Sequence, residues 1–179
     1  MSWYEWVIYG FSSVTVIGQA LLVLAVVSYV PGLSLVRGFM ERRVLTWMFV
    51  IALTATAGSL FFSEIAGIEP CKLCWLQRIF MYPQAIILLV AVVTSDQRVW
   101  RYVLPLSLVG GAIAGWHYGE NVWTVLHPAD PTTPCSLDGI SCAVPPFVHF
   151  GYVTIPLMAF TAFALECFGC AWLLKAKSA

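Results

Sequence analysis

The residues best suited to chemistry are Cys71 and Cys74, which are separated by two residues in the stretch Glu-Pro-Cys-Lys-Leu-Cys-Trp-Leu-Gln-Arg. Two thiols at this spacing are typical of a redox pair that opens and closes a disulfide. An apolar run that reaches Thr94 follows directly, and Pro70 is a residue type common at the first position of a helix. The pattern therefore predicts that a membrane helix begins at Pro70, with both cysteines in its first turn.

Cys74 is the predicted reactive thiol of the pair. Unpaired amides and the positive end of the helix dipole both favour a thiolate at the start of a helix. Arg78 lies four residues beyond Cys74 on the same helix face and adds a full positive charge. An arginine at the centre of a membrane helix costs about 2.5–3.5 kcal/mol, so one just inside the boundary indicates a functional site. The alternative is an arginine that reaches the interface beside two packing cysteines.

The composition is that of a membrane protein. The chain has 179 residues, of which 60% are hydrophobic and 10% are charged, and its mean hydropathy is +0.86. So few polar residues cannot cover the surface of a soluble domain. The formal net charge of zero gives no electrostatic reason for nucleic acid binding. We therefore predict an all-α membrane protein with no nucleic acid partner.

Five apolar stretches are long enough to cross a bilayer as helices. They comprise residues 6–30, 44–62, 75–94, 102–118 and 147–165. In the fourth stretch, Gly111 and Gly115 have the spacing that lets membrane helices pack closely. The chain is thus predicted to be a bundle of five transmembrane helices.

The basic residues predict how these helices are oriented, because Lys and Arg are retained on the cytoplasmic side. Three lie in 31–43, two in 95–101 and two in the C-terminal tail. With five spans, this distribution places the N-terminus outside and the C-terminus in the cytoplasm. The segments that carry cysteines between the spans then face the outer, oxidising side.

A second cysteine pair, Cys135 and Cys142, lies in the proline-rich segment 119–148. Thiol exchange passes through mixed disulfides, so two pairs within reach can relay two electrons from a soluble dithiol to the start of the helix. A lipid-soluble quinone is a suitable final acceptor, and Arg78 could stabilise charge on both the thiolate and the reduced ring. The alternative is a static structural disulfide in this segment.

Four other polar or reactive residues are predicted to have ordinary roles. Cys167 and Cys170 are expected past the inner end of the fifth span, as packing thiols on the reducing side. Glu166 is interpreted as an interfacial charge that marks the end of that helix, and an intramembrane role in proton transfer is the alternative. His149, like other histidines at a membrane boundary, is interpreted as an interface residue.

The stretch Phe-Ser-Glu-Ile-Ala-Gly-Ile-Glu-Pro-Cys-Lys-Leu-Cys-Trp-Leu-Gln-Arg-Ile-Phe-Met-Tyr-Pro, residues 62–83, resembles the first active loop of the DsbB family of disulfide-forming quinone reductases. It is most similar to the short BdbC branch, whose last helix also resembles residues from 151 onward. The resemblance covers residues 44–165 and implies a four-helix membrane bundle as the catalytic domain. Residues 1–43 would add an N-terminal transmembrane helix with a cytoplasmic loop, and residues 166–179 a cytoplasmic tail.

The resemblance also implies an activity. A protein of this family would be a thiol oxidase of the bacterial inner membrane that supports disulfide bond formation. It would reoxidise a thioredoxin-like, DsbA-like partner on the outer side and pass the electrons to a quinone, either ubiquinone or menaquinone. Cys135 would be attacked by the reduced partner. Cys142 would then exchange with Cys71, and Cys74 would pass the electrons to the quinone.

Two residues take quinone-side positions in the resemblance. Arg78 matches the arginine that the family associates with the quinone. His117, in the stretch Gly-Trp-His-Tyr, lies near the family's polar quinone-side residues. The first span has no counterpart in the four-helix core, and a packing or partner helix is the default interpretation.

Other classes of function remain open at this point. The cysteines of the two segments could form a four-sulfur zinc site, although six residues between the second pair make it looser than usual. Vitamin K epoxide reductase chemistry also couples loop cysteines to quinone-like rings, but there the membrane pair follows the loop pair in sequence. A non-catalytic membrane subunit with structural cysteines is a further alternative. Our preferred interpretation assigns no metal ligand.

Overall fold

The structure, a computed structural model, describes residues 3–28, 34–127 and 141–178. Most of them belong to five helices: α1 (Trp3–Ser28), α2 (Ser34–Leu60), α3 (Lys72–Thr94), α4 (Trp100–Leu126) and α5 (Ile155–Ser178). A π-helical turn, Phe61–Ile65, continues α2, and a short 3-10 turn precedes α4. No β-strand occurs in the described ranges apart from an isolated bridge between His149 and Val153. The prediction of an all-α protein is confirmed.

Four stretches within these helices are long and apolar enough to cross a membrane. They are Trp3–Leu24, Arg43–Ile65, Lys72–Thr94 and Ile155–Lys175. The predicted span 102–118 lies in α4, which is 27 residues long but is not among the four. Helix α4 carries four glycines and the polar residues His117, Glu120 and Asn121, which lower its hydropathy. The membrane fold is therefore confirmed, whereas the count of five spans stays a prediction.

Helices α2, α3, α4 and α5 form a four-helix bundle, and α1 packs outside it against α5 and α2. Buried apolar side chains from all four bundle helices meet in one core, including Met48, Leu88, Val103 and Phe163. Burying such side chains among helices stabilises the bundle through close van der Waals packing. The predicted arrangement of a four-helix bundle with an extra N-terminal helix is confirmed.

The interface between α4 and α5 depends on small residues. An added Cβ at Gly110 would overlap the ring of Phe163. At Gly111 it would lie 3.4 Å from Cβ of Phe163, and at Gly115 it would lie 3.4 Å from the ring of Phe160. The Gly-x-x-x-Gly pair of α4 thus lets two helix backbones approach, as the spacing predicts.

Predicted helix ends in α3, α4 and α5 were wrong. Helix α3 begins at Lys72 with Cys71 as its N-cap, so Pro70 precedes the helix instead of opening it. Helix α4 continues past residue 118 to Leu126, because polar residues 119–121 do not break a helix that is packed along one side. Helix α5 begins at Ile155, since residues 149–153 form a turn closed by the His149–Val153 bridge.

The other end of α5 also differs from the prediction. The helix does not end at 165 but continues to Ser178, so Glu166 lies within it and is fully buried. Neither carboxylate oxygen of Glu166 has a hydrogen-bond partner in the described part of the chain. Its interpretation as an interfacial charge at a helix end is therefore wrong. Cys170 is buried in the core and Cys167 is half-buried, and both lie inside the helix, not beyond it.

Candidate active site

The first cysteine pair lies where the chain enters α3. Cys71 is the N-cap residue with extended backbone, and its carbonyl oxygen accepts the first helical hydrogen bond from the Trp75 amide at 3.1 Å. Cys74 follows in the first turn, and the two Sγ atoms are 3.6 Å apart. Cys71 is buried, whereas Cys74 is partly exposed. Two free thiols in contact at a helix start can form a disulfide after side-chain rotation, once an acceptor removes two electrons and the protons leave.

Arg78 lies one turn deeper in α3, and its side chain is buried against α2. Its Nε donates to the Ser59 hydroxyl at 3.0 Å, and its Nη2 donates to the Ser59 carbonyl oxygen at 2.9 Å. The guanidinium carbon also lies 5.1 Å from the centre of the Trp75 ring. Tyr82 donates to the same Ser59 hydroxyl at 3.2 Å. The arginine therefore does not reach the interface freely, because two hydrogen bonds fix its planar head.

His117 of α4 is buried beside the thiols. Its Nδ1 lies 2.9 Å from Nε2 of Gln77, and its Nε2 lies 3.0 Å from the carbonyl oxygen of Cys142. A carbonyl oxygen only accepts, so Nε2 carries the proton, and Nδ1 accepts from the Gln77 amide. The same Nε2 is 3.8 Å from Sγ of Cys71. His117 thus connects the first cysteine pair with the segment of the second.

The segment around Cys142 is held against this site by Asn121. The Asn121 amide donates to the carbonyl oxygens of Cys142 at 2.8 Å and of Ala143 at 3.1 Å. The Cys142 thiol in turn interacts with the thiol of Cys71. The structure therefore brings together Cys71, Cys74, Arg78, His117 and Cys142. Cys135, the remaining predicted site residue, lies outside the described residues.

A cavity of about 850 Å³ extends from these thiols between α1, α2 and α5. Its thiol end is lined by all five site residues that the structure describes, together with Gln77 and Asn121. Elsewhere its lining is mostly apolar and comes from α1, α2, α3 and α5. A mainly apolar cavity with a few convergent polar groups is what small-molecule sites require.

Among the described residues, two thiols outside the membrane-spanning segments, those of Cys71 and Cys142, have raised pKa values. The thiol of Cys71 donates a hydrogen bond to Cys74 and is buried, which raises its pKa to about 11. Burial, followed by the interaction with Cys71, raises the pKa of Cys142 to about 11. Both cysteines are therefore predominantly neutral thiols near pH 7. Disulfide exchange between the two cysteine pairs then needs a change in one of the contacts that raise these pKa values.

We expect alkylation of Cys142 in the fully reduced protein to be slow at pH 7 and to rise about tenfold per pH unit toward pH 11, because only the thiolate reacts. A raised pKa lowers the thiolate fraction at every pH below it. Iodoacetamide labelling from pH 7 to 10, read by peptide mass spectrometry, measures the rate. Denatured protein is the control, where the rate should level off near pH 9, the ordinary value. A native rate equal to the denatured rate at pH 8 would contradict the raised pKa.

Three side chains of the site lie close enough together to bind one metal ion. The ligand atoms of Cys71, Cys74 and His117 lie within 4.8 Å of one another. These are three ligands of the types that zinc takes. The set differs from the four-cysteine site considered from the sequence, since it uses a histidine and Cys135 is outside the described residues. Binding would require His117 Nε2 to give up its proton and its bond to Cys142.

Sequence reasoning missed four residues that shape the site: Ser59, Gln77, Tyr82 and Asn121. One signal was present in the sequence, because Asn121 lies four residues after His117 and shares its helix face once α4 is continued. Gln77 is a polar residue in an apolar run, which is the same signal that singled out its neighbour Arg78. Nothing in the sequence pairs Ser59 with Arg78, because that contact joins two helices.

The comparisons with known proteins agree on one family. The family model described as Disulfide bond formation protein DsbB matches residues 41–173. A probable disulfide formation protein of Metapseudomonas resinovorans is 42% identical over 121 residues, which are 68% of this chain and 81% of that protein. Disulfide bond formation protein C of Bacillus subtilis (strain 168) is 43% identical over 117 residues, 65% of this chain and 82% of that protein. No solved structure matches the chain.

Proposed function

Because the chain belongs to the DsbB family of disulfide bond formation proteins, we propose that it passes electrons from a DsbA-like dithiol protein to a membrane quinone. The family itself establishes a membrane thiol oxidoreductase with a role in disulfide formation. The acceptor and the partner are the proposed parts. The observation that carries the proposal is the cavity, whose polar end holds two thiols 3.6 Å apart and a fixed arginine.

The exchange between the two cysteine pairs follows from which thiols are neighbours. Cys142 interacts with Cys71, so its thiolate, released when the partner attacks Cys135, would attack the Cys71 sulfur of a closed Cys71–Cys74 disulfide. That disulfide breaks, a Cys142–Cys71 bond forms, and Cys74 leaves as the thiolate. No net oxidation occurs in this step, because one disulfide replaces another. Arg78, one turn from Cys74, stabilises the released charge.

Reoxidation of the first pair follows once Cys71 is free again. The partner's second thiol releases Cys135 from their mixed disulfide, and the Cys135 thiolate attacks Cys142 and frees Cys71.

The reduced first pair then requires an acceptor. Closing the Cys71–Cys74 disulfide again removes two electrons and two protons from the thiols. A bound quinone supplies a two-electron, two-proton acceptor. The residues fit such a ring, because Arg78 spends two N–H groups on Ser59 and has others toward the cavity. His117 lines the same cavity, and a polar contact to the ring would replace one of its two protein hydrogen bonds.

The proposed topology has five spans across a bacterial membrane. The N-terminus lies on the outer side and the C-terminus on the cytoplasmic side. Two observations support it. Cys71 and Cys142 lie at the end of the bundle where α2 leads to α3 and α4 leads to α5, which becomes the outer face. Arg98 and Arg101 lie at the opposite end, between α3 and α4, as retention of basic residues in the cytoplasm requires.

The activity is tested by mixing the purified protein, a reduced DsbA-like protein and a quinone, and following quinone absorbance. We expect one quinone to be reduced for each partner dithiol oxidised. The control is the same partner with its cysteines alkylated, which should give no reduction. Partner oxidation that proceeds without any quinone reduction would contradict the proposed acceptor.

A zinc site at Cys71, Cys74 and His117 is the second candidate function, favoured only by the closeness of the three ligand atoms. It predicts stoichiometric zinc in the purified protein and thiols that resist alkylation until a chelator is added. Metal-free protein with reactive thiols would exclude it.

A further inference from the structure

Helix α1 lies outside the region that the family model matches, which begins at residue 41. It is nevertheless docked by specific polar contacts. The fully buried Ser12 hydroxyl lies 2.8 Å from Nδ1 of His149. Gln19 donates to the Thr161 hydroxyl at 3.2 Å and accepts from the Tyr152 hydroxyl at 2.9 Å. Polar contacts between helices in lipid fix rotation and register, so α1 presents one defined face to the bundle.

That face forms one wall of the cavity which begins at the thiols. The α1 residues that line it are Phe11, Val14, Thr15, Ile17, Gly18 and Leu21. Five of them recur at intervals of three or four residues, which is one side of a helix. At 1.5 Å per residue they extend over about 15 Å. Without α1, the groove between α2 and α5 would be open to lipid.

The cavity continues well beyond the place where a ring would lie. On α2 and the π-helical turn that continues it, the lining runs from Trp47 to Phe62, which is about 22 Å of helix. The volume of about 850 Å³ lies in the upper part of the range of about 300–1,000 Å³ found for sites of drug-sized ligands, which leaves room for a tail beside one ring. Away from the thiols the walls are mainly apolar. The shape is that of a ring site continued by a channel for a hydrocarbon chain.

We propose that α1 is the wall of a channel for the isoprenoid tail of the quinone, and that it makes this chain select acceptors by their tail. The inference rests on the proposed function. Because lipid is as apolar as the channel, moving the tail from lipid into the channel removes no apolar surface from water. The binding free energy of the tail therefore comes from van der Waals packing against the channel wall. Selection then depends on the shape of the α1 wall, and small changes in that wall should alter binding of the tail alone.

Gly18 provides the test. An added Cβ there would lie 3.4 Å from Leu165 and 3.7 Å from Thr161, two residues that also line the channel. Gly18→Leu therefore fills the channel far from the thiols. The matched control is Gly10→Leu, because a Cβ at Gly10 meets nothing within 4 Å. A second variant, Leu21→Ala, removes wall contact without adding bulk.

Binding is measured without reductant, as the shift in thermal unfolding midpoint when a quinone is added to the detergent-solubilised protein. Two probes share one ring, one with a long isoprenoid tail and one with none. We expect Gly18→Leu to weaken binding of the tailed quinone about tenfold and to leave the tail-less quinone unchanged. Leu21→Ala should weaken binding of the tailed quinone about threefold, and Gly10→Leu should change neither.

Each outcome supports or overturns the proposal. Equal binding of the tailed quinone by wild type and by a folded Gly18→Leu protein would overturn it, as would equal weakening of both quinones. If Gly18→Leu does not fold, Leu21→Ala tests the channel by the same comparison. A wild-type protein that binds the ring but shows no tail preference refutes the channel alone. A wild-type protein that binds neither quinone refutes the proposed function as well.

Discussion

Replacing Cys74 with serine is expected to lower the rate of quinone reduction by about 1,000-fold or more. Enzymes that depend on a nucleophile or redox thiol lose at least this much activity when that group is removed. A serine hydroxyl can neither close a disulfide with Cys71 nor give up two electrons. The measurement is the initial rate of quinone absorbance loss with a reduced DsbA-like protein, using variants purified in the same detergent.

The matched control is Cys167→Ser, the same substitution at a half-buried thiol of α5 outside the cavity. It should retain wild-type turnover. The Cys74→Ser protein should also accumulate a disulfide between Cys71 and Cys142, because Cys71 can attack Cys142 of an oxidised second pair and release the Cys135 thiolate, while no Cys74 thiol is present to displace Cys142 from Cys71. Peptide mapping under non-reducing conditions detects this bond. Wild-type turnover in Cys74→Ser would refute the assignment of Cys74.

The parts of the site that lie on one helix were predictable from sequence. Cys71, Cys74 and Arg78 lie within eight residues, so helical spacing alone places them together. The predicted helix start was wrong, and Cys71 is the N-cap instead of a first-turn residue. It lies beside Cys74 in either case. The membrane fold was predictable for a similar reason, since apolar runs of this length have few alternatives.

What could not be predicted depends on contacts between helices. Ser59 is one hydroxyl among several in α2, and only the packing of α3 on α2 shows that it holds Arg78. The sequence places Asn121 in a loop, because Gly119, Glu120 and Asn121 look like a helix end in isolation. Packing against the Cys142 segment supplies partners for Asn121 and makes the longer helix favourable.

Helix α1 shows the same limit at a larger scale. Its apolar run predicts a span, but hydropathy does not say which neighbours a span packs against. Its polar residues Ser12 and Gln19 carry that information, since polar groups in lipid must find partners. Their partners, His149 and Thr161, lie 137 and 142 residues away in sequence. A single sequence offers no way to pair residues so far apart.

Replacing Arg78 with alanine is expected to lower kcat/KM for quinone reduction by about 100- to 1,000-fold, which is typical for loss of one preorganised charge-stabilising group. The loss should appear in kcat, because the positive charge matters most when Cys74 carries its negative charge and the ring is being reduced. Kinetics over a range of quinone concentrations separate kcat from KM. A change in KM alone would mean that Arg78 only binds the ring.

Two further variants separate the charge of Arg78 from its geometry. Arg78→Lys keeps the charge but cannot reproduce both hydrogen bonds to Ser59 and the contact with the Trp75 ring, so an intermediate loss of about tenfold is expected. Arg101→Ala is the control, since Arg101 also lies over a tryptophan ring, at 5.7 Å, but is exposed at the far end of the bundle. It should behave as wild type. If Arg78→Ala and Arg101→Ala gave the same rate, the guanidinium at the cavity would have no part in the chemistry, and Cys74 would need another source of stabilisation.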